Sequence, residues 1–294
     1  MIRKYKVNEK SFEEVSNEET AYWLGFLLAD GGVVKNVLKL ELSSKDVNHI
    51  YKFRYFLEST HPIKKRKDRY THAVAISSSV LVSNLAKWGC VTRKTNTVVF
   101  PSDLPEQLIK HFIRGLFDGD GSIGIYKRTD KRCSNKVYHY TELKFRLCGT
   151  KEILETIQSI LKVKSRIISM NGTFCLIIGR FKEVQKALDY LYKDAKIYLN
   201  RKQNQYLQVT NLSQPGSPHR ETVTYASKKE LLNNLELIKK LYEEKRSCRG
   251  VVRHLEKIGL STSYHTITKL LRENKVTVKR HPTGWERKKS NSGP

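Results

Sequence analysis

The sequence predicts an α+β protein in which one half-domain occurs twice in tandem and a small all-α domain follows. Two apolar segments of similar pattern, residues 23–31 and 113–121, lie ninety positions apart. Each is followed by the same succession of strand-like and helix-like patterns. After residue 212 the pattern changes to a Pro- and Gly-containing stretch and then to helical segments alone.

Each of the two apolar segments is a helical run that is interrupted by small residues and ends in Asp-Gly. The small residues lie four apart, Gly25 and Ala29 in the first copy and Gly115 and Gly119 in the second, so each pair shares one helix face. A face without side-chain bulk lets two helix backbones approach closely. We therefore predict that these four residues form a helix–helix interface.

That packing would place Asp30 and Asp120, the last residues of the two helices, side by side. Gly31 and Gly121 are then expected to adopt the left-handed conformation that often ends a helix. Two adjacent carboxylates are costly unless a cation lies between them, and two-metal phosphodiester cleavage uses such an arrangement. One acidic residue per half also suits a protein that treats the two strands of a duplex alike.

The repeat continues beyond these segments and gives half-domains at residues 1–105 and 106–212. Period-two alternation predicts strands, and amphipathic spacing predicts helices. The longer, basic stretch Tyr126–Tyr140 is either a loop that reaches DNA or an exposed disordered tip. In matching order, the predicted elements are strands at 38–45 and 143–151, helices Val47–Leu57 and Glu152–Leu161, strands near Arg69–Ser77 and Phe174–Gly179, helices Val80–Trp88 and Lys182–Tyr192, and basic turns at 92–95 and 200–203.

Both apolar segments match the LAGLIDADG signature, and the chain resembles the monomeric, two-motif LAGLIDADG homing endonucleases. The resemblance implies two saddle-shaped antiparallel sheets that straddle duplex DNA. It also implies two or three divalent ions, Mg²⁺ in the first instance, at a site formed by Asp30, Asp120, Ala29 and Gly119.

The family also places a basic residue near each metal site, after the last helix of each half. Lys94 and Lys202 match that position and are the candidate catalytic lysines, with plain phosphate contact as the alternative role. Leu28 stands where the second motif has Asp118. Asp118 is therefore interpreted as a polar support and not as a metal ligand.

In the family, outward residues of alternating strands read base edges in the major groove. Leu38, Leu40 and Leu42 alternate with polar residues here, as do the corresponding apolar residues of the second half. Arg and Lys suit guanine edges, and Glu can accept from cytosine. An ordinary solvated sheet face is the alternative interpretation. The predicted DNA-contacting residues of the sheets are Lys39, Glu41, Ser43, Lys144 and Arg146.

The composition agrees with binding to a polyanion. The chain has 55 Lys and Arg against 29 Asp and Glu, a formal charge of +26 and a pI near 9.8. It has no apolar run of about 18 residues, which excludes a membrane-spanning helix, and no apolar signal core at its N-terminus. The five cysteines are widely spaced and predict free thiols. We expect a reducing intracellular compartment: the cytoplasm of a bacterial or phage-infected cell, or an organelle.

The last quarter of the chain predicts a separate module. Residues 213–225 are expected to form a linker, residues 226–280 a helix-turn-helix-like domain, and residues 281–294 a mobile basic arm. The expected helices are Lys228–Glu244, Cys248–Lys257 and Tyr264–Glu273. A structural or protein-binding appendage is the alternative. The residues expected to face DNA are Tyr264, His265, Lys269 and Arg272.

Together with the resemblance, these patterns predict a site-specific endonuclease that cuts both DNA strands across the minor groove and leaves short 3′ overhangs. The predicted partner is duplex DNA with a long, asymmetric target, bound by a monomer encoded within a mobile intron or intein. Two alternatives stay open at this point. One is an RNA maturase that binds intron RNA, and the other is a DNA-binding regulator without cleavage.

Overall fold

The computed structural model describes residues 4–92, 98–132, 136–170, 172–212, 219–221 and 226–278. The chain forms two compact units. The first comprises residues 1–128 and 140–216, and the second comprises residues 129–139 and 217–294.

The first unit contains two half-domains with the same element order, as the repeat predicts. Local sequence explains the helix starts: the Asn17 side chain accepts a hydrogen bond from Thr20 N–H, and Ser78 and Thr150 cap later helices in the same way. The first half consists of α1 (Glu18–Asp30), β1 (Gly31–Val34), β2 (Val37–Ser43), α2 (Val47–Phe56), β3 (Lys64–Lys65), β4 (Thr71–Ser77) and α3 (Ser79–Lys87).

The second half repeats this order and adds one helix at its end. It consists of α4 (Glu106–Asp120), β5 (Gly121–Arg132), β6 (Lys136–Gly149), α5 (Lys151–Leu161), β7 (Arg166–Met170), β8 (Thr173–Ile178), α6 (Phe181–Tyr192) and α7 (Asn200–Asn211).

Each half forms one antiparallel sheet with the same strand order, β1-β2-β4-β3 in the first and β5-β6-β8-β7 in the second. The strand register is also the same in both halves. Glu41 and Arg146, which occupy equivalent positions in the repeat, pair with Ala73 on β4 and with Ile177 on β8. Two sheets of identical topology confirm the tandem duplication predicted from the repeat.

One face of each sheet is buried against helices. Along β2 the residues Leu38, Leu40 and Leu42 are buried, and along β6 the residues Leu143, Phe145 and Leu147 are buried. The residues between them are more exposed. Strict period-two alternation therefore separates a core face from an outward face on both central strands.

In the basic stretch, residues 126–132 and 136–140 form strands and not the loop or disordered tip considered from the sequence. β5 runs to Arg132 and β6 starts at Lys136. The outer end of β6 also pairs antiparallel with β9 (His219–Glu221), which lies within the stretch predicted as a linker. The other residues of 213–225 lie outside the described ranges.

The described residues of the second unit form four helices around their own apolar cluster: α8 (Lys228–Asn233), α9 (Leu235–Lys245), α10 (Cys248–Lys257) and α11 (Tyr264–Glu273). The single helix predicted for 228–244 is wrong, because it breaks at Asn234, whose N–H bonds back to the carbonyl of Leu231. Gly259, with φ +81°, makes the tight turn between α10 and α11. The basic arm from residue 281 lies outside the described ranges.

Two chemical expectations concern cysteines and membranes. Cys148, Cys175 and Cys248 carry free thiols, as their spacing predicts. Within the residues that the structure describes, no helix is long and apolar enough to cross a membrane.

Candidate active site and nucleic-acid interface

The site is organised by the close packing of α1 against α4. A Cβ atom placed on Gly25 would lie 2.1 Å from the carbonyl oxygen of Phe112, and one on Gly115 would lie 2.0 Å from that of Tyr22. Each glycine therefore receives the backbone of the other helix, which no larger residue permits. The predicted helix interface has the expected residues in contact.

The same interface continues to the ends of the helices. A Cβ on Gly119 would lie 2.4 Å from the Cβ of Ala29 and 3.4 Å from Oδ2 of Asp30. The Asp30 side chain is thus held against the last turn of α4, one residue before Asp120. Both aspartates are exposed, and each is the last residue of its helix. The helix ends bring the two carboxylates to one locus, as the repeat predicts.

The predicted left-handed exit at Gly31 and Gly121 is wrong. Both residues have extended backbones, with φ of −74° and −92°. Glycine is required at both positions because there is no space for a side chain. A Cβ on Gly31 would lie 2.6 Å from the carbonyl oxygen of Leu27, and one on Gly121 would lie 2.4 Å from the carbonyl oxygen of Phe117. The chain therefore passes directly from helix to strand, with no intervening turn residue.

Lys202 lies in the first turn of α7, so the predicted basic turn at 200–203 is wrong. Its side chain is only 1% exposed. Its Nζ donates hydrogen bonds to the carbonyl oxygens of Phe117 at 2.8 Å and Gly121 at 2.5 Å, and it lies 4.5 Å from the centroid of the Phe117 ring. Lys202 therefore lies at the end of α4. Lys94, its predicted counterpart, lies outside the described residues.

Burial lowers the pKa of Lys202 to about 8, while the negative charges of Asp118, Asp30 and Asp120 act to raise it. The Lys202 ammonium is therefore electrostatically coupled to both exposed carboxylates, and its protonation changes near neutral pH. A buried Nζ that is bonded to two carbonyls does not fit the alternative of a simple surface phosphate contact.

Asp118 is a fully buried polar support, as interpreted from the sequence. Its carboxylate accepts hydrogen bonds from the hydroxyls of Tyr22, at 2.7 Å, and Tyr192, and from Leu199 N–H at 2.6 Å. Burial raises the pKa of Asp118, and the Tyr192 hydrogen bond and the Lys202 charge oppose that rise. Leu199 directly precedes α7, so this carboxylate fixes the start of the helix that carries Lys202.

Arg114 is a second buried polar group, which was not predicted from the sequence. Its guanidinium donates to the carbonyl oxygens of Ile197, at 2.8 Å, and Leu191, at 3.0 Å, and to Oε1 of Glu18 at 2.7 Å. Glu18 begins α1, and Leu191 lies in α6. An arginine within an otherwise apolar helical run was the available signal, since a buried Arg needs partners for all its donors.

The outward sheet faces carry the predicted polar residues, but several are engaged with each other. Lys39 and Glu41 form an ion pair, and Thr71 donates to Glu41 at 2.7 Å. Lys144 contacts Glu142 at 2.9 Å. Ser43 is exposed at the end of β2, and Arg146 is partly buried, with an Nε that has no hydrogen-bond partner among the described residues.

In the second unit, the predicted DNA-contacting residues lie on one element, α11. Tyr264, His265, Lys269 and Arg272 are all exposed. The rings of Tyr264 and His265 lie 3.9 Å apart, and the Arg249 guanidinium of α10 lies 5.1 Å from the Tyr264 ring. Lys269 also lies 3.9 Å from Glu273. The exposed face of α11 is therefore polar, basic and aromatic.

Comparison with known proteins identifies the repeated half-domain. A model of the LAGLIDADG endonuclease family matches residues 113–213. These residues begin within α4 and cover the second sheet together with Asp118, Asp120 and Lys202. Residues 113–213 of this chain therefore match the LAGLIDADG endonuclease family. The family match ends at residue 213, so the helical domain from residue 226 lies outside it.

Solved LAGLIDADG structures share this architecture. A lysine-to-alanine variant of I-SmaMI aligns with a TM-score of 0.50 and 14% identity, over 66% of this chain and 91% of that one. A double lysine-to-alanine variant of I-SmaMI also aligns with a TM-score of 0.50 and 14% identity, over 67% of this chain and 90% of that one. At such identities the likeness establishes the fold. The replication factor C small subunit of Methanocaldococcus jannaschii is 29% identical over 112 residues, which are 36% of this chain and 6% of that protein.

The ends of the two LAGLIDADG helices suit a hard divalent cation. Both carboxylates extend from helix C-termini, where the macrodipole is negative. Mg²⁺ is commonly held by one or two carboxylates together with water and substrate phosphates. Within the described ranges, no group of three or more His, Cys, Asp or Glu side chains is placed to hold a metal. The protein ligands would therefore be Asp30 and Asp120, supplemented by backbone oxygens of Ala29 and Gly119.

Proposed function

We propose that this protein is a homing endonuclease that cuts both strands of a specific DNA duplex across the minor groove and leaves short 3′ overhangs. The observation that carries the proposal is the pair of exposed carboxylates, Asp30 and Asp120, held together by the interlocked helices α1 and α4. Two sheets of identical topology flank this pair. One acidic group from each half matches the two scissile phosphates of a duplex.

Asp30 and Asp120, with Ala29 and Gly119 beside them, would hold two or three divalent ions, Mg²⁺ in the first instance. When bound, such ions activate water and neutralise the charge that develops on the leaving oxygen. The carboxylates themselves need no large movement, because the helix packing sets their positions before DNA arrives. Preorganisation of this kind lowers the cost of reaching the transition state.

Lys202 is the proposed second catalytic group of this site. Its buried Nζ is fixed by two carbonyl oxygens and coupled to both carboxylates. With a pKa near 8, it can offset the negative charge of the transition state or polarise an attacking water. Lys94 is proposed for the corresponding role in the first half, on the basis of its matching position in the repeat.

The sheets and the helical domain are the proposed DNA-binding surfaces. The outward faces of β2 and β6 supply the residues for the major groove, and α11 supplies Tyr264, His265, Lys269 and Arg272. Because the chain has a formal charge of +26, its affinity for DNA should fall steeply as the salt concentration rises. A saddle plus an additional module implies a long target, and bending of the DNA would bring both phosphates to the metal site.

The duplicated active site favours a monomer that acts on an asymmetric target in an intracellular, reducing compartment. A cut in an allele that lacks the encoding element would initiate copying of that intron or intein. Maturation of intron RNA is the runner-up function, since the basic charge is compatible with RNA, but RNA folding has no need of two paired carboxylates.

Cleavage of a pooled duplex library tests the proposal. The purified chain is incubated with the library in Mg²⁺ or in EDTA, and the product ends are sequenced. We expect Mg²⁺-dependent double-strand breaks at one long sequence, with both breaks lost in Asp30→Asn and Asp120→Asn variants. Specific retention without cutting would instead indicate a regulator. A preference for RNA over every DNA duplex would instead support the maturase function.

A further inference from the structure

The outward face of each sheet contains a glutamate fixed against a lysine. On β2, Glu41 binds the Lys39 ammonium through one carboxylate oxygen and accepts from the Thr71 hydroxyl through the other. On β6, Glu142 binds Lys144 Nζ at 2.9 Å through Oε1 and Arg128 Nε at 2.7 Å through Oε2. Each glutamate thus uses both oxygens.

The two lysines occupy matching positions in the repeat, whereas the two glutamates do not. Lys39 lies two residues before Glu41, which pairs with Ala73 on β4, and Lys144 lies two residues before Arg146, which pairs with Ile177 on β8. Glu41 follows its lysine by two residues, and Glu142 precedes its lysine by two. The two halves therefore reach the same lysine–glutamate contact by different routes.

In the second half an aromatic ring completes the arrangement. Lys144 Nζ lies 5.7 Å, and the Arg128 guanidinium 5.3 Å, from the centroid of the Tyr126 ring. Both cations thus lie within the range of a cation–π interaction with one ring and an ion pair with one carboxylate. These contacts restrict the rotamers of side chains that are otherwise among the most flexible in proteins.

The two carboxylates oppose binding to a polyanion. They lie on the sheet faces proposed for DNA contact, in a chain of formal charge +26. The Lys39 and Thr71 hydrogen bonds lower the pKa of Glu41, and those of Lys144 and Arg128 lower the pKa of Glu142, so both stay charged at neutral pH. A negative charge at such a place weakens binding to every phosphate backbone equally, whereas a fixed lysine distinguishes one base edge from another.

We infer that Glu41 and Glu142 are specificity-determining positioning residues, each of which holds its lysine for a guanine edge and weakens binding to non-cognate DNA. This inference rests on the proposed function. Lys39 and Lys144 each keep two ammonium donors for the O6 and N7 acceptors of guanine. Both oxygens of Glu41 already accept a hydrogen bond within the sheet, from Lys39 and from Thr71.

The test is the base preference of variants over a randomised duplex library. Glu41→Gln and Glu142→Gln should each bind non-specific duplex more tightly. Each should also lose about fivefold to tenfold of the preference for guanine at one base pair. The two variants should act in opposite half-sites, because the lysines belong to opposite halves. Glu155→Gln is the matched control, since Glu155 is an exposed residue of α5 that lies 3.6 Å from Lys151.

A double-mutant cycle separates positioning from direct reading of a base. If Glu142 acts through Lys144, then Glu142→Gln should not change the base preference further in a Lys144→Ala background. An additive change would show that Glu142 reads the base itself and would overturn the inference. Unchanged profiles in both glutamine variants, or an equal relaxation in Glu155→Gln, would also overturn it. Wild-type protein that enriches no duplex would refute the proposed function as well.

Discussion

Lys202 Nζ lies 2.8 Å from the carbonyl oxygen of Phe117, a residue of α4 that lies 85 positions earlier in the chain. This contact joins the start of α7 to the last turn of α4, and it places a lysine with a pKa near 8 beside the two exposed aspartates. A solvated lysine titrates far above neutral pH. Lys202 is therefore unusual, because its charge changes at a pH close to neutrality.

The titration of Lys202 should be visible in the cleavage rate. Burial places its folded-state pKa at about 8, so the ammonium is present below that pH and is lost as the pH rises through it. If the ammonium offsets charge at the reacting phosphate, cleavage should fall as the pH rises above about 8. A strand-resolved nicking assay across this range would measure it. Lys202→Met should cut more slowly and lack this decline, whereas a decline that persists in the variant would assign it to another group.

Substitution of Asp30 or Asp120 by Asn should remove cleavage and keep binding. The change deletes a metal-binding charge without altering the shape, and metal ions supply several kcal/mol of transition-state stabilisation. We expect a loss of about a thousandfold or more in cleavage rate, with duplex affinity within about tenfold of wild type. Gel-shift and cleavage assays on one target measure both. Wild-type cutting by either variant would contradict the assignment of the metal site.

The contact between α1 and α4 should tolerate no added methyl group. Gly25→Ala and Gly115→Ala would each force a Cβ to about 2 Å from a backbone carbonyl, which is far inside van der Waals contact. We expect each variant to lower the free energy of unfolding by about 2 kcal/mol or more, although alanine is the better helix former by about 1 kcal/mol. Gly32→Ala is the control, since its nearest neighbour would lie 3.9 Å away. Urea unfolding of the three variants makes the comparison.

His49 should make the protein sensitive to acid. It is buried between the rings of Trp23 and Phe26, and burial together with the charges of Lys52 and Arg201 lowers its pKa to about 3. Because the unfolded state then binds more protons, stability falls as the pH drops below about 6.5, by about 1.4 kcal/mol per pH unit until the folded-state pKa is reached.

Replacement of the His49 imidazole should reduce the loss of unfolding free energy at acid pH. His49→Phe keeps the aromatic packing, and the Tyr22 hydroxyl retains Asp118 as its acceptor. Urea unfolding followed by tryptophan fluorescence at several pH values would measure the slope. His265→Gln, on the exposed face of α11, serves as the control. An acid slope in His49→Phe equal to that of the wild type would rule out this residue as its source.

The helical domain should contribute to DNA binding without taking part in the chemistry. Removal of the chain from residue 213 onward leaves Asp30, Asp120 and Lys202 in place, so we expect a shorter footprint and weaker affinity with cleavage retained. Lys269→Ala and Arg272→Ala in the full-length chain should reproduce part of the loss of affinity. Each should weaken the binding free energy by about 1–3 kcal/mol if the side chain contacts a base. Nuclease footprinting distinguishes the cases. An unchanged footprint after truncation would leave a structural or protein-binding role.

The sequence predicts those features that depend on spacing. Gly25, Ala29, Gly115 and Gly119 lie four apart, which is enough to define a helix face and its partner. The alternation around Leu40 and Phe145 is likewise enough to define the two faces of a sheet. Most of the predicted helix boundaries were correct to within a few residues, because caps such as Ser247 and Ser263 lie directly before their helices. The start of β6 was not, since the strand begins at Lys136 and not at residue 143.

Features that depend on distant contacts were not predictable. Arg114 and Glu18 are separated by 96 positions, and in isolation Glu18 is an ordinary acidic residue of a first helical turn. The basic turn at 200–203 was wrong because its polar composition hides a helix with a single buried face, formed by Lys202, Tyr206 and Val209. At Gly31 and Gly121 the residue type was informative, but it reported crowding and not a backbone angle.

The polar network around Asp118 bears on the history of the duplication. The Tyr22 hydroxyl that satisfies this carboxylate comes from the first half, and the residue at the matching position of the second half is Phe112, which has no hydroxyl. A symmetric dimer of two second halves would therefore bury each Asp118 with one donor fewer. The buried carboxylate of the second half therefore depends on a hydroxyl group that the first half supplies.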